Sequence, residues 1–162
     1  MTLRIISADI TTLKVDAIVN AANTQLLAGG GVCGAIFRAA GYHELQTACD
    51  KLAPIQTGAA VITPGFNLPA KFVIHTAGPI WQGGQSGEEE LLTNCYTNSL
   101  KLAAENNLKS IAFPLISSGI YGYPKFDALR VAVQAIKSFQ GDLDVILTVL
   151  DKSLLDKATG IV

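Results

Sequence analysis

Residues 17–40 read AIVNAANTQLLAGGGVCGAIFRAA, and no other stretch constrains the fold as strongly. Residues 17–21 are almost wholly apolar, as expected of a strand buried on both faces. The chain leaves that strand through Asn20, Ala21 and Asn23, crosses Gly29, Gly30 and Gly31, and enters an apolar helix predicted over 32–40. Gly41 ends that helix. A helix N-terminus presents N–H groups without intrahelical partners and the positive end of the helix dipole. Strand, bare backbone and helix start together therefore form an anion site. Glycine lets a ligand approach the main chain closely. The Asn20 and Asn23 amides can donate to and accept from sugar hydroxyls.

The rest of the chain alternates strands and helices. A β-rich run at 3–7 leads to Asp9, which is placed to cap the turn that follows. A helix is predicted over 42–52, stopped ahead of Pro54, then strands over 59–63 and 71–76. Residues 81–87 hold Gly83, Gly84 and Gly87 and are expected to form the loosest surface loop. The clearest helix spans 86–107. Ser86 and Glu89 are spaced as a capping box, and Leu91, Leu92, Cys95, Tyr96, Ser99, Leu100 and Ala103 share one face. A fifth strand at 110–113 opens onto a second glycine-bearing loop, 117–122. A helix follows, with Phe126, Leu129, Val133 and Ile136 inward and its end near Gly141. A sixth strand covers 143–150, and the segment 151–162 begins helical. This alternation argues for a layered α/β fold, with 1–162 as one domain. In such sheets ligands sit beyond the carboxyl ends of strands. Asp9, 29–34 and 117–122 each follow a strand, so all three are expected at one rim.

Composition excludes several classes. With 49% apolar and 15% charged residues in 162, the chain can bury a sizeable core. Its net charge is −1, from 12 basic and 13 acidic residues, and no basic run stands out, so a nucleic-acid partner is not expected. No apolar run approaches the ~20 residues of a membrane span, and the N-terminus lacks the apolar core of a signal peptide. Cys33, Cys49 and Cys95, odd in number and irregularly spaced, read as thiols of a reducing cytoplasm. Cys33, Cys49, His43 and His75 match no zinc-ligand spacing, and neither metal nor cofactor is expected.

Gly29, Gly31 and Gly34 satisfy the dinucleotide-binding pattern G-x-G-x-x-G, but that pattern requires the first glycine directly after the strand. Here residues 21–28 intervene, and the acidic residue at the right distance, Asp50, falls in a predicted helix. A P-loop requires Gly-Lys-Ser/Thr where Val32-Cys33-Gly34 stands.

Five segments taken together resemble a known family. VDAIVNAAN at 15–23, GGGVCGAI at 29–36, TGAAVIT at 57–63, KFVIHTAGPIW at 71–81 and FPLISSGIYGYP at 113–124 look like a macrodomain of the MacroD-type branch. The resemblance implies a three-layer α/β/α sandwich around a six-stranded mixed sheet and a metal-independent cleft for ADP-ribose at one rim. It places Asp9 on the adenine amino group and Ile10 beside the base. Asn23 falls on the distal ribose. Gly30, Gly31 and Val32 line that ribose and the phosphates, and Ser117, Ser118, Gly119, Ile120 and Tyr121 wrap the diphosphate. The residues give independent support. Neither loop contains Lys or Arg, so backbone dipoles would have to hold the diphosphate.

The chain departs from the family in three places. Where the family usually reads Gly-Gly-Gly-Val-Asp-Gly-Ala-Ile-His, Cys33 replaces the aspartate and Phe37 the histidine. That aspartate is assigned to the water in the family's hydrolases. A thiol, mostly protonated at neutral pH, is a poor partner for that water. Cys33 remains open as an inert buried thiol, a positioning group, or a nucleophile at a helix N-terminus. Leu150 stands where the family commonly has an aromatic residue before Asp, giving adenine an apolar contact without stacking. The family's C-terminal helix is usually longer than 151–162.

Three functions follow as expectations. One is a hydrolase of ADP-ribosylated protein or O-acetyl-ADP-ribose, with Asn23 orienting the sugar, Cys33 weakening catalysis, and a substrate phosphate replacing the lost base. A second is a non-catalytic ADP-ribose reader. A third is an unrelated nucleotide- or RNA-binding role on the same fold. A cytoplasmic location, from the cysteines, and a monomer are expected.

Overall fold

The computed structural model describes residues 1–158 and 160. Its strands are β1 (Thr2–Ile6), β2 (Ala17–Ala22), β3 (Ala60–Pro64), β4 (Phe72–Ala77), β5 (Ser110–Phe113) and β6 (Asp144–Thr148). Its helices are α1 (Gly31–Ala40), α2 (Tyr42–Asp50), α3 (Glu88–Glu105), α4 (Lys125–Ser138) and α5 (Lys152–Ala158), with a single 3-10 turn at Ile10–Thr12. The strands form one six-stranded sheet in the order β1-β6-β5-β2-β4-β3. Every neighbouring pair is parallel except β3 with β4, so the sheet is mixed, as expected.

Alternation along the strands assigns the layers. Ala17 and Val19 of β2 and Ile74 of β4 face Leu92, Tyr96 and Leu100 of α3 and Leu129, Ala132 and Ile136 of α4. Ile18, Val73, Ala112 and Ile146 face the opposite way, onto Ile36 and Phe37 of α1 and Leu45 of α2. This is the α/β/α sandwich that the sequence implied.

The sheet also provides a crevice. β2 and β4 pair over six residues, Ala17↔Phe72 to Ala22↔Ala77. β2 and β5 pair only at Ala17↔Ile111 and Ile18↔Ala112. Beyond Ile18 the two strands separate. α1 follows β2 onto one face, and α4 follows β5 onto the other. Ligands of open α/β sheets bind at such a switch point, outside the carboxyl ends of the strands.

Several expectations need correction. Phe126 is not inward but 42% exposed. It shares the face of Leu129 and Val133, but it lies in the first turn of α4, where Lys157 of α5 sits over its ring at 6.0 Å from the centroid. α4 ends at Ser138 and β6 at Thr148, both earlier than expected. The capping box of Ser86 and Glu89 does not form. Gly87, at φ 78°, is the N-cap of α3 and gives no side-chain cap bond. Thr159, Ile161 and Val162 of the expected C-terminal segment lie outside the described residues. Among the described residues no helix is long and apolar enough to cross a membrane.

Candidate functional site

Sheet order sets the order of residues along the carboxyl rim. Asp9 follows β1, Leu150 follows β6, 114–124 follows β5 and 23–30 follows β2. The last two loops face each other across the β2–β5 crevice. A Cβ on Gly30 would lie 4.0 Å from Ile120 Cδ1. Ile120 is 90% exposed and Leu150 79% exposed, so both side chains are open to a ligand at the rim.

Each loop presents unused backbone donors. Gly31, Val32 and Cys33 form the first turn of α1, and their N–H groups have no hydrogen-bond partner among the described residues. The same holds for the N–H groups of Gly119, Ile120 and Tyr121. The second loop is braced so that these donors stay free. Gly122 N–H donates to Gly119 O at 3.0 Å, and Tyr123 N–H to Ser117 O at 2.9 Å. Ser117 sits at φ 67°, and its Oγ donates to Pro79 O at 2.8 Å. Ser118 Oγ donates to Leu115 O at 2.7 Å. Both serine side chains therefore hold the loop, leaving its main chain to meet a ligand.

The remaining predicted residues divide. Asp9 caps the 3-10 turn, its Oδ1 accepting from Thr11 N–H at 3.0 Å and from Thr11 Oγ1 at 2.7 Å. These bonds hold its carboxyl below the usual carboxylate range. Asp9 remains exposed, whereas Ile10 is buried in the core under α1. Asn23 pins its own loop, with Nδ2 donating to Leu27 O at 2.8 Å and Oδ1 accepting from Leu27 N–H at 3.0 Å. One Nδ2 hydrogen and one Oδ1 lone pair remain beyond those bonds. Ala21 is half-buried at the exit of β2.

Asn20 is not at the surface of the crevice but beneath it, 1% exposed. Its Nδ2 lies 3.1 Å from His75 Nδ1, its register partner on β4, and 3.7 Å from Cys33 Sγ. His75 Nε2 lies 3.0 Å from Thr63 Oγ1 and 3.7 Å from Cys49 Sγ. Thr63 Oγ1 donates to Pro64 O at 3.1 Å. One tautomer completes this chain: Nδ1 accepts from Asn20 and Nε2–H donates to Thr63. Asn20 Oδ1 is buried without a partner among the described residues, and exchanging the amide's two ends leaves one end equally unpaired. The Cys33 thiol also lies 3.8 Å from Leu27 O, to which it donates. The sequence did not reveal this network, because it joins five segments through strand register and helix packing.

Burial pushes His75 down from 6.5 to about 4. An unfolded His75 takes a proton below 6.5, whereas the folded one refuses it until about 4, so stability is full above 6.5 and drains between those values. The shift corresponds to roughly 3 kcal/mol at ~1.4 kcal/mol per unit. The expected result is a falling urea midpoint between pH 7 and pH 4 that flattens in His75→Gln. An equal fall in His75→Gln would clear His75 of responsibility.

A cavity of about 910 Å³ lies away from the rim, between α3 and α4, lined by Thr93, Thr97, Lys101 and Arg130. Among the described residues no three of His, Cys, Asp and Glu gather as a metal site.

The family model described as Macro domain matches residues 19–132. The chain belongs to the macro domain family. The macro domain-containing protein of Chlorobaculum tepidum is 59% identical over 137 residues, covering 85% of this chain and 79% of that protein. The O-acetyl-ADP-ribose deacetylase of Salmonella typhimurium is 55% identical over 141 residues, covering 85% and 78%. A point mutant of the Oceanobacillus iheyensis macrodomain solved with ADPR superposes at TM-score 0.92 with 42% identity, covering 98% of this chain and 91% of that one. The macro domain match begins after Asp9 and Ile10 and ends before Leu150.

Proposed function

We propose that this macro domain binds ADP-ribose along its rim and slowly hydrolyses ADP-ribose conjugates. The observation that carries the reading is the pair of facing loops, 29–33 and 117–121. Neither loop contains Lys or Arg, and their unpaired N–H groups can hold a diphosphate. The residue order along the rim matches the ligand. Asp9 and Leu150 lie exposed at the β1–β6 end for adenine, with the Ile10 side chain buried in the core. Ser117, Ser118, Gly119, Ile120 and Tyr121 meet Gly30, Gly31 and Val32 at the crevice for the diphosphate. Ala21, Asn23 and Cys33 lie at the β2 end for the distal ribose.

In the reaction, water adds to the ester carbonyl of O-acetyl-ADP-ribose and releases acetate. With an ADP-ribosylated protein it releases ADP-ribose from the side chain. Asn23 offers the sugar its remaining hydrogen and lone pair from a loop that its own amide has already fixed. Asn20 supports Cys33 from below instead of touching the sugar. A phosphate oxygen of the substrate takes the water's proton, because Cys33 provides no carboxylate.

A second reading, a module that binds without chemistry, is favoured by Cys33 itself, whose thiol is bonded to Leu27 O. Calorimetry and product assay separate the two readings. ADP-ribose is expected to bind in the micromolar range, about −7 to −8 kcal/mol, and AMP more weakly. Incubation with O-acetyl-ADP-ribose or a glutamate-ADP-ribosylated protein is expected to release product slowly. Binding without any release supports the reader. Absence of heat and of any thermal shift at millimolar ADP-ribose ends both.

A further inference from the structure

Glu88 opens α3, yet its carboxylate turns away from that helix. It is 2% exposed. Its Oε2 accepts from Gln82 N–H at 2.8 Å and from Gly84 N–H at 2.9 Å, and its Oε1 accepts from Ser86 N–H at 2.6 Å. All three donors precede the helix. The first of them, followed by Gly84, holds the carboxyl down to about 2. An acid serving only the helix dipole has no need of such an arrangement, and Glu89 and Glu90 already place charge in that first turn. The loop expected to be the loosest is instead gathered around one carboxylate.

The loop so gathered bears on the second phosphate loop. Gly84 lies against the Trp81 ring, where a Cβ would come within 2.8 Å of Cη2. Trp81 N–H donates to Tyr121 O at 2.8 Å, and its ring packs on Tyr123 with centroids 4.7 Å apart. Two residues earlier, Pro79 O accepts from Ser117 Oγ at 2.8 Å. Segment 79–88 therefore grips the 117–121 loop at both ends, and Glu88 closes the grip.

We propose that Glu88 is a positioning residue for the diphosphate: through Gln82, Gly84 and Trp81 it holds the Gly119–Tyr121 main chain in its anion-binding shape. This rests on the ADP-ribose reading above. Glu88→Gln keeps the size but turns an N–H₂ toward main-chain donors, so at least one bond is lost and the loop relaxes.

The test compares two ligands on Glu88→Gln: ADP-ribose by calorimetry, and adenosine, which lacks phosphate, by NMR titration. The expected result is a loss of about tenfold or more for ADP-ribose, ~1.4 kcal/mol, with adenosine unchanged within about twofold. Gly84→Ala disturbs the same brace from the Trp81 side and is expected to reproduce that split, and it decides the matter where Glu88→Gln does not fold. ADP-ribose affinity at the wild-type value, or equal losses for both ligands, overturns the proposal. Wild-type protein that ignores ADP-ribose overturns the underlying reading, a result visible before any variant is made.

Discussion

Gly119→Glu is expected to weaken ADP-ribose binding about a hundredfold or more while leaving the protein folded. No heavy atom lies within 4 Å of a Cβ built on Gly119, and its φ is outside the left-handed range, so the fold accepts a side chain there. The ligand does not. The residue stands among the free N–H groups of the second loop, and glutamate sets a full negative charge beside a diphosphate carrying about two. Each such pair at ~4 Å costs about 1 kcal/mol in bulk water and about 4 kcal/mol near a protein surface. A loss of roughly a hundredfold or more, ~2.8 kcal/mol, follows. Gly119→Gln has nearly the same bulk without the charge and should lose less. The gap between the two variants should narrow in high salt, as screening predicts. Calorimetry at two ionic strengths, with a melting curve for each protein, reads all of this. A folded Gly119→Glu protein with wild-type affinity would remove the 117–122 loop from the site.

Much of the facing loop's role, at 29–33, is legible in the sequence, for a local reason. The run from Ala17 to Ala40 needs only the apolar character of 17–19, the glycines at 29–31 and the helical pattern after Val32 to declare a strand, a bare turn and a helix start. Asp9 as a cap is equally local, since its acceptor serves Thr11 two residues on. What the sequence does not show depends on register or on chain reversal. Asn20 looks like a polar exit from β2. It becomes a buried partner of His75 only because β2 and β4 align those residues and α1 covers that face. Glu88 is hidden behind Glu89, which has capping-box spacing. Only the left-handed turn at Gly87 shows that the earlier carboxylate faces back into the loop. Phe126 fits the inward stripe of α4 by periodicity, and periodicity does not say where the packed part of a helix begins.

Cys33→Asp is expected to raise hydrolysis about tenfold or more while changing ADP-ribose affinity little. A general base aligned on the attacking water contributes roughly 10²–10⁴-fold, and a carboxylate is ionised at neutral pH where a thiol is mostly not. Position 33 suits the charge. It lies in the first turn of α1, where an anion gains about 0.3–1 kcal/mol from the unpaired N–H groups. Asn20 Nδ2, now 3.7 Å from Cys33 Sγ, is a donor ready for one carboxylate oxygen. The unfavourable neighbour is Leu27 O, which presently accepts from the thiol at 3.8 Å and would face an acceptor instead. Asn23 holds Leu27 by two bonds, so the repulsion is not relieved by moving the loop, and it directs the carboxylate toward the crevice. Cys33→Asn, of the same shape but without a base, separates charge from size and is expected to stay slow. Release of ADP-ribose from a glutamate-modified protein, followed alongside calorimetry, reads rate and affinity together. A wild-type rate already equal to that of Cys33→Asp would mean that the substrate phosphate suffices as base and a carboxylate at position 33 adds nothing. A Cys33→Asp protein that folds, binds and remains inactive would leave the reader function standing. The loss would then extend to Phe37, whose ring lies 6.5 Å from that of His75 in the layer beneath the site.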